Sequence, residues 1–193
     1  MPDPRASLIR VLRSACSGEL AAGHAYRGHW RSVSDAPTRE RIQQIEREEW
    51  HHRELVRGLL AELGAGPSRK REIVFWIIGK TIGLLCLIGG RFIPMYGAGR
   101  LEKWNVAEYV DAAQHARDAG LAGMIDCLMS MAAVEWEHER YFREQVTGHW
   151  LLRVFPLWTP PPEIGNPNAA AASVSRHEDT GPDLHPHPSR RSG

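Results

Sequence analysis

Apolar and polar residues recur along most of the chain with the period of an α-helix, and four segments carry that period. Segment A, about Ala6 to Val33, lines up Leu8, Leu12, Ala15, Glu19, Ala22, Tyr26 and Trp30 on one stripe. It ends in the turn cluster Ser34-Asp35-Ala36-Pro37-Thr38, which places a proline where a new helix starts. Segment B, about Thr38 to Leu63, shows Ile42, Ile45, Glu49, His52, Val56, Leu59 and Leu63, and stops at Gly64-Ala65-Gly66-Pro67. Segment C, about Pro94 to Ala119, shows Met95, Glu102, Val106, Tyr109, Ala113 and Ala116, and ends at Gly120. Segment D, from there to about Gly148, shows Leu121, Met124, Leu128, Met131, Glu135, His138 and Phe142. The links from A to B and from C to D are short, so each pair is expected to form an antiparallel hairpin. No run alternates as a strand ladder would.

Between B and C lies an apolar stretch, Ile73 to Tyr96, broken by Lys80 and containing Gly79-x-x-x-Gly83. As one helix it would span roughly 36 Å. That is the length of a crossover returning the chain to the far end of a bundle, so that B and C run parallel. Beyond Trp158 the composition changes to Pro160-Pro161-Pro162 and a small, polar run with little to bury. The expected organisation is one helical domain over residues 1–158 and a disordered Pro- and Ala-rich tail over 159–193. The tail also holds His177, His185 and His187, a weak compositional hint of metal binding.

The formal net charge of the 193-residue chain is +1, which gives no electrostatic case for nucleic acid or an acidic partner. Cys16, Cys86 and Cys127 are odd in number, far apart and without a CxxC, which points to reduced thiols and away from a Cys-based zinc site. The first twenty residues lack an apolar signal core, so a cytoplasmic setting is expected.

The chemistry lies where the core stripes turn polar. Stripes B and D are each interrupted midway by a glutamate followed three residues later by a histidine, Glu49 with His52 and Glu135 with His138. Residues three apart share a helix face, so each pair can grip one ion. A charge in a core position without a partner would be very costly. A second register in B, Glu48 with His51, falls on the stripe Arg41, Gln44, Glu48, His51, Leu55 and Gly58, which reads as a solvent face. Stripes A and C each supply one more carboxylate, Glu19 and Glu102, with Tyr26 and Tyr109 seven residues further on. The intervals Glu19–Glu49 and Glu102–Glu135 are 30 and 33 residues, centred at or beside the two turns, so the ligands of each hairpin should sit at matching heights. Glu108 is the rival of Glu102. It lies one and two-thirds turns away and points elsewhere, as an outer hydrogen-bonding candidate with Tyr26, Tyr109 and Asp126. Four carboxylates and two neutral imidazoles balance two divalent ions. One Glu from each of two helices plus Glu-x-x-His from each of the other two is the ligand plan of dimetal carboxylate bundles. Oxygen-rich ligation with some imidazole suits two iron ions, or manganese, better than structural zinc.

GELAAGHAYRGHW, Gly18 to Trp30, resembles the first ligand helix of the demethoxyubiquinone hydroxylase family. EREEWHHREL resembles its second, GGRFIPMYGAGRLEKWNVAEY its third and AVEWEHERYF its fourth, over residues 8 to 145 in all. The resemblance implies an all-α, ferritin-like four-helix bundle with the apolar crossover between its second and third helices. It implies a di-iron monooxygenase that hydroxylates a lipophilic quinone precursor with O₂ and an external electron donor. Glu19, Glu49, His52, Glu102, Glu135 and His138 would be the iron ligands. Peripheral association with the inner face of the cell membrane is expected, through Phe75, Trp76, Leu84 and Leu87, the basic residues Arg69, Lys70, Arg71, Lys80 and Arg91, and His149 to Trp158 with Trp150, Arg153 and Trp158. The alternative for the crossover is burial within a homodimer. The family has further amphipathic helices after the fourth ligand helix, and here only HWLLRVFPLW precedes the proline run. Rival functions are a ferritin-like peroxidase, catalase or iron-binding stress protein without an organic substrate, and a non-enzymatic iron-binding or membrane-interaction module.

Overall fold

The computed structural model describes residues 3–162. Among them are five α-helices and no strand: α1 (Pro4–Ser32), α2 (Ala36–Glu62), α3 (Arg69–Leu85), α4 (Phe92–Asp118) and α5 (Ile125–Val146). Two short 3₁₀ turns flank α5, Ala122–Met124 and Trp150–Arg153. The helix ends follow from local chemistry. Asp3 and Asp35 cap α1 and α2, accepting from the amides of Arg5 and Thr38 at 3.0 Å, each with a proline in the first turn. Gly64 and Gly120, at φ 63° and 72°, end α2 and α4 in the left-handed conformation that a side chain resists.

Cross-helix partners fix the topology. Tyr26 meets Glu102 while Tyr109 meets Glu19, so α1 and α4 are antiparallel. His52 meets Glu135 while His138 meets Glu48 and Glu49, so α2 and α5 are antiparallel. These four helices form the ferritin-like bundle. All members of the B and C stripes are buried; the exceptions in A and D are Trp30 and Leu121, each at an end of its stripe. One apolar layer contains Leu8, Leu12, Val56, Leu60 and Leu128. The other contains Ala22, Tyr26, Ile42, Ile45, Met95 and Phe142. The polar residues lie between them. Glu46 clamps α1 to α2, accepting from Arg27 Nε and Trp30 Nε1 at 2.7 Å.

The stretch from Ile73 to Tyr96 is not one helix. α3 ends at Leu85, Gly90 takes φ 64°, and α4 starts at Phe92, because the Gly89-Gly90 pair lets the chain turn at the end of the bundle. α3 runs parallel to α1 on the outside of the bundle. Its glycines Gly79 and Gly83 are the contact: a Cβ on Gly79 would overlap the backbone of Ala21, and one on Gly28 the backbone of Gly83. Most of the rest of α3 faces outward, with Ile73, Trp76, Ile77, Leu84 and Leu85 all exposed. No helix among the described residues is long and apolar enough to cross a membrane.

After α5 the chain folds back over α4 and α5. Tyr96 donates its hydroxyl to the Pro156 carbonyl at 2.8 Å, and Trp158 Nε1 donates to Glu139 Oε1 at 2.6 Å. The Trp158 ring occupies the space that a side chain at Gly99 would fill. Trp158 therefore faces the bundle, contrary to its expected place at a membrane surface; Trp150 is exposed. Residues 163–193, with His177, His185 and His187 and most of the expected tail, lie outside the described residues.

Candidate metal centre

The six glutamates and histidines singled out from the stripes converge at the middle of the bundle. They form two overlapping groups, Glu19, Glu49, His52 and Glu135, and Glu49, Glu102, Glu135 and His138. Within each group one ligand atom per residue lies within 4.8 Å of every other. All six side chains are buried. Glu49 and Glu135 belong to both groups, so each can bridge two positions; Glu19 with His52, and Glu102 with His138, end the cluster on either side.

The atoms that point inward are short of partners. Both oxygens of Glu49, Oε2 of Glu19 and Nδ1 of His138 are buried with no hydrogen-bond partner among the described residues. His138 Nδ1 lies 3.2 Å from Glu49 Oε1 and 3.5 Å from Glu135 Oε2, without the alignment for a hydrogen bond. Buried polar atoms are normally satisfied. A cluster of them on the carboxylates and imidazole of these two groups fits divalent cations in both positions. Hard carboxylate oxygens with one imidazole each suit iron or manganese.

Protons take the place of cations in the electrostatics of these side chains. Burial, then the charge of Glu135, pushes the Glu19 carboxyl up to about 7. The same causes hold Glu49 and Glu102 well above the carboxylate range. Burial would raise Glu135 too, but hydrogen bonds with His138 and His52 outweigh it and keep Glu135 ionised. For both histidines burial acts downward and is overcome by the surrounding carboxylates, so both imidazoles are raised, His138 strongly. The side chains thus retain protons that a metal ion would displace.

The outer residues sort less simply. Tyr26 and Tyr109 donate their hydroxyls to Glu102 and Glu19 across the bundle. Asn105, which the stripes passed over, donates to Glu102 Oε2 at 2.8 Å, one helical turn from it. Glu48, assigned to the solvent face, accepts from His138 Nε2 at 2.7 Å. The signal for it was the doubled Glu48-Glu49, whose first member lies at the rim of the buried stripe. His51 is exposed. Glu108 does not rival Glu102. It is half-buried, its carboxyl raised by burial and then eased down by Ser14 and Arg71, groups of α1 and α3. Asp126 is not an outer partner of the site. It is exposed in the first turn of α5, nine residues or about 13 Å of helix before Glu135.

Known proteins place the chain through its family. A family model described as Ubiquinone biosynthesis protein COQ7 matches residues 6–140. No curated protein and no solved structure matches the chain.

Proposed function

Because the chain belongs to the COQ7 family, the demethoxyubiquinone hydroxylases of ubiquinone biosynthesis, we propose that it is a di-iron monooxygenase hydroxylating a lipophilic quinone precursor. The observation that carries this reading is the pair of buried ligand groups sharing Glu49 and Glu135. Glu19, Glu49, His52 and Glu135 would hold one ion, and Glu49, Glu102, Glu135 and His138 the other. Bound iron supplies the activation of O₂ and the redox capacity that these side chains lack. In the net reaction one oxygen atom enters a ring C–H bond and the other leaves as water, with two electrons and two protons from an external donor. The chain's own part is positional. Tyr26 and Tyr109 hold the two terminal carboxylates, and the apolar layers above and below exclude water.

A lipophilic substrate gives the outward face of α3 a role. Ile73 and Leu84 are 63% and 65% exposed on a helix whose other side is taken up by α1, and Ile88, in the turn that follows it, is 81% exposed. Exposure on this scale marks an interaction surface. With exposed Arg69, Lys70 and Arg71 at its start, it suits peripheral contact with a bilayer that carries anionic head groups.

The test is single-turnover oxidation. The iron-loaded chain, a chemical reductant, O₂ and a short-tailed quinol analogue should yield product with one added oxygen atom by mass spectrometry, and Glu135→Ala should yield none. Peroxide turnover with no change in the quinol would transfer the assignment to the ferritin-like peroxidase class.

A further inference from the structure

The ligand plan repeats between the two hairpins: Glu19, Tyr26, Glu49 and His52 in the first match Glu102, Tyr109, Glu135 and His138 in the second. Two residues break the repeat, and both act on the same ion position. Glu48 precedes Glu49, whereas Val134 precedes Glu135. Asn105 follows Glu102 by three, whereas Ala22 follows Glu19. Glu48 Oε2 accepts from the outer nitrogen of His138 at 2.7 Å, and Glu48 is itself held by Gln44 Nε2 at 2.8 Å and Arg41 Nη1 at 3.5 Å. Among the described residues no carboxylate bonds the outer nitrogen of His52, whose repeat partner would be the apolar Val134. Asn105 satisfies Glu102 Oε2, while Glu19 Oε2 is without a partner among the described residues.

We propose that the two ion positions are unequal, that the position of His138 and Glu102 fills first, and that Glu48 is the positioning residue responsible. A carboxylate on the outer nitrogen fixes the ring's orientation and tautomer and makes its inner nitrogen a stronger donor, an effect worth 10–100-fold in affinity at metal–histidine sites. The inference rests on the dimetal reading of the site, and it concerns binding rather than turnover.

The experiment titrates the full chain, stripped with a chelator, with Co(II), followed by its visible absorption and by calorimetry. The wild type should take up two ions in separate steps, the first about 10-fold or more tighter than the second. Glu48→Leu should weaken the first step about 10–100-fold and leave the second unchanged. Glu48→Gln, which keeps an acceptor oxygen and loses the charge, should fall between. In a His138→Ala background, Glu48→Leu should have no further effect on the remaining ion. Equal affinities for both ions, an unchanged first step in Glu48→Leu, or an effect of Glu48→Leu that persists without His138 would each overturn the proposal while leaving the dimetal reading intact. No tight binding at all would overturn both.

Discussion

Chelation should leave a protein that loses stability as the pH rises through neutrality. The perturbation is removal of metal, and its magnitude follows from Glu19. Burial raises this carboxyl from 4.5 to about 7. A group that binds its proton more tightly folded than unfolded contributes stability that is complete below its unfolded value and lost as the pH passes its folded value. For Glu19 the window is pH 4.5 to about 7, and the loss is about 3 kcal/mol. Glu49 and Glu102, also raised by burial and then by Glu135, act in the same direction. Raised His52 and His138 act in the same direction above their ordinary value of 6.5. Glu135 is the one ligand held down, and its contribution is lost only as the solution becomes acidic. Outside the site, His29, lowered to about 4 by burial, acts the opposite way and adds stability as the pH rises toward 6.5. Thermal unfolding of the metal-free chain followed by circular dichroism should therefore show a midpoint falling by about 6–12 °C from Glu19 alone between pH 5 and pH 8. Glu19→Gln, neutral throughout, should remove that part of the slope. Metal reverses the trend, since it takes the places of the protons. The same slope in metal-free wild type and Glu19→Gln would refute the reasoning.

Four further outcomes are expected. Glu49→Ala and Glu135→Ala should each lose both ions, because both ligand groups share these residues, whereas Glu19→Ala and Glu102→Ala should keep about one by metal analysis. Wild-type protein should float with anionic liposomes at low salt, and Trp76→Glu and Leu84→Glu should not; equal flotation of all three would remove α3 from the membrane. Gly79→Val should cost about 1–3 kcal/mol in urea unfolding by pushing α3 off Ala21, compared with Gly58→Val at an open, exposed site; equal stabilities would contradict the packing of α3 on α1. Trp158→Ala should cost about 2 kcal/mol and lower the unfolding midpoint by about 4–8 °C; a midpoint within about 1 °C of wild type would mean that residues 149–162 do not hold the bundle.

The parts of this molecule that were legible in its sequence are those governed by spacing along one helix. The stripe through Ile42, Ile45, Glu49, His52 and Val56 fixes its own inward face, because residues three and four apart share a side of the helix. Glu108 could be set aside for the same reason. What could not be read depends on which helix lies opposite. Nothing in Gly79-x-x-x-Gly83 says that its partner is Ala21 and Gly28 of the same chain. Trp158 resembles an interfacial tryptophan until a buried acceptor, Glu139, is found within reach of its indole N–H. Glu48 looks like surface on the wheel of α2 because its partner, His138, belongs to another helix. Asp126 failed differently. Its type suited an outer partner, but nine residues of helix separate it from Glu135, and that distance was already in the sequence.

The two-hairpin plan also explains why so much charge can be placed at the centre of a small bundle. Each ligand group takes three residues from one hairpin and one from the other: Glu19, Glu49 and His52 need Glu135, and Glu102, Glu135 and His138 need Glu49. The tyrosines cross in the same way, Tyr26 to Glu102 and Tyr109 to Glu19. Neither hairpin can satisfy its own polar core, so the buried carboxylates reward only the pairing that brings both halves into register. A slip of one hairpin by a helical turn would separate Glu49 from His138 and Glu135 from His52 together, exposing several unpartnered groups to an apolar layer at once. The polar centre that weakens the metal-free protein at neutral pH therefore also selects the register in which two ions can be held.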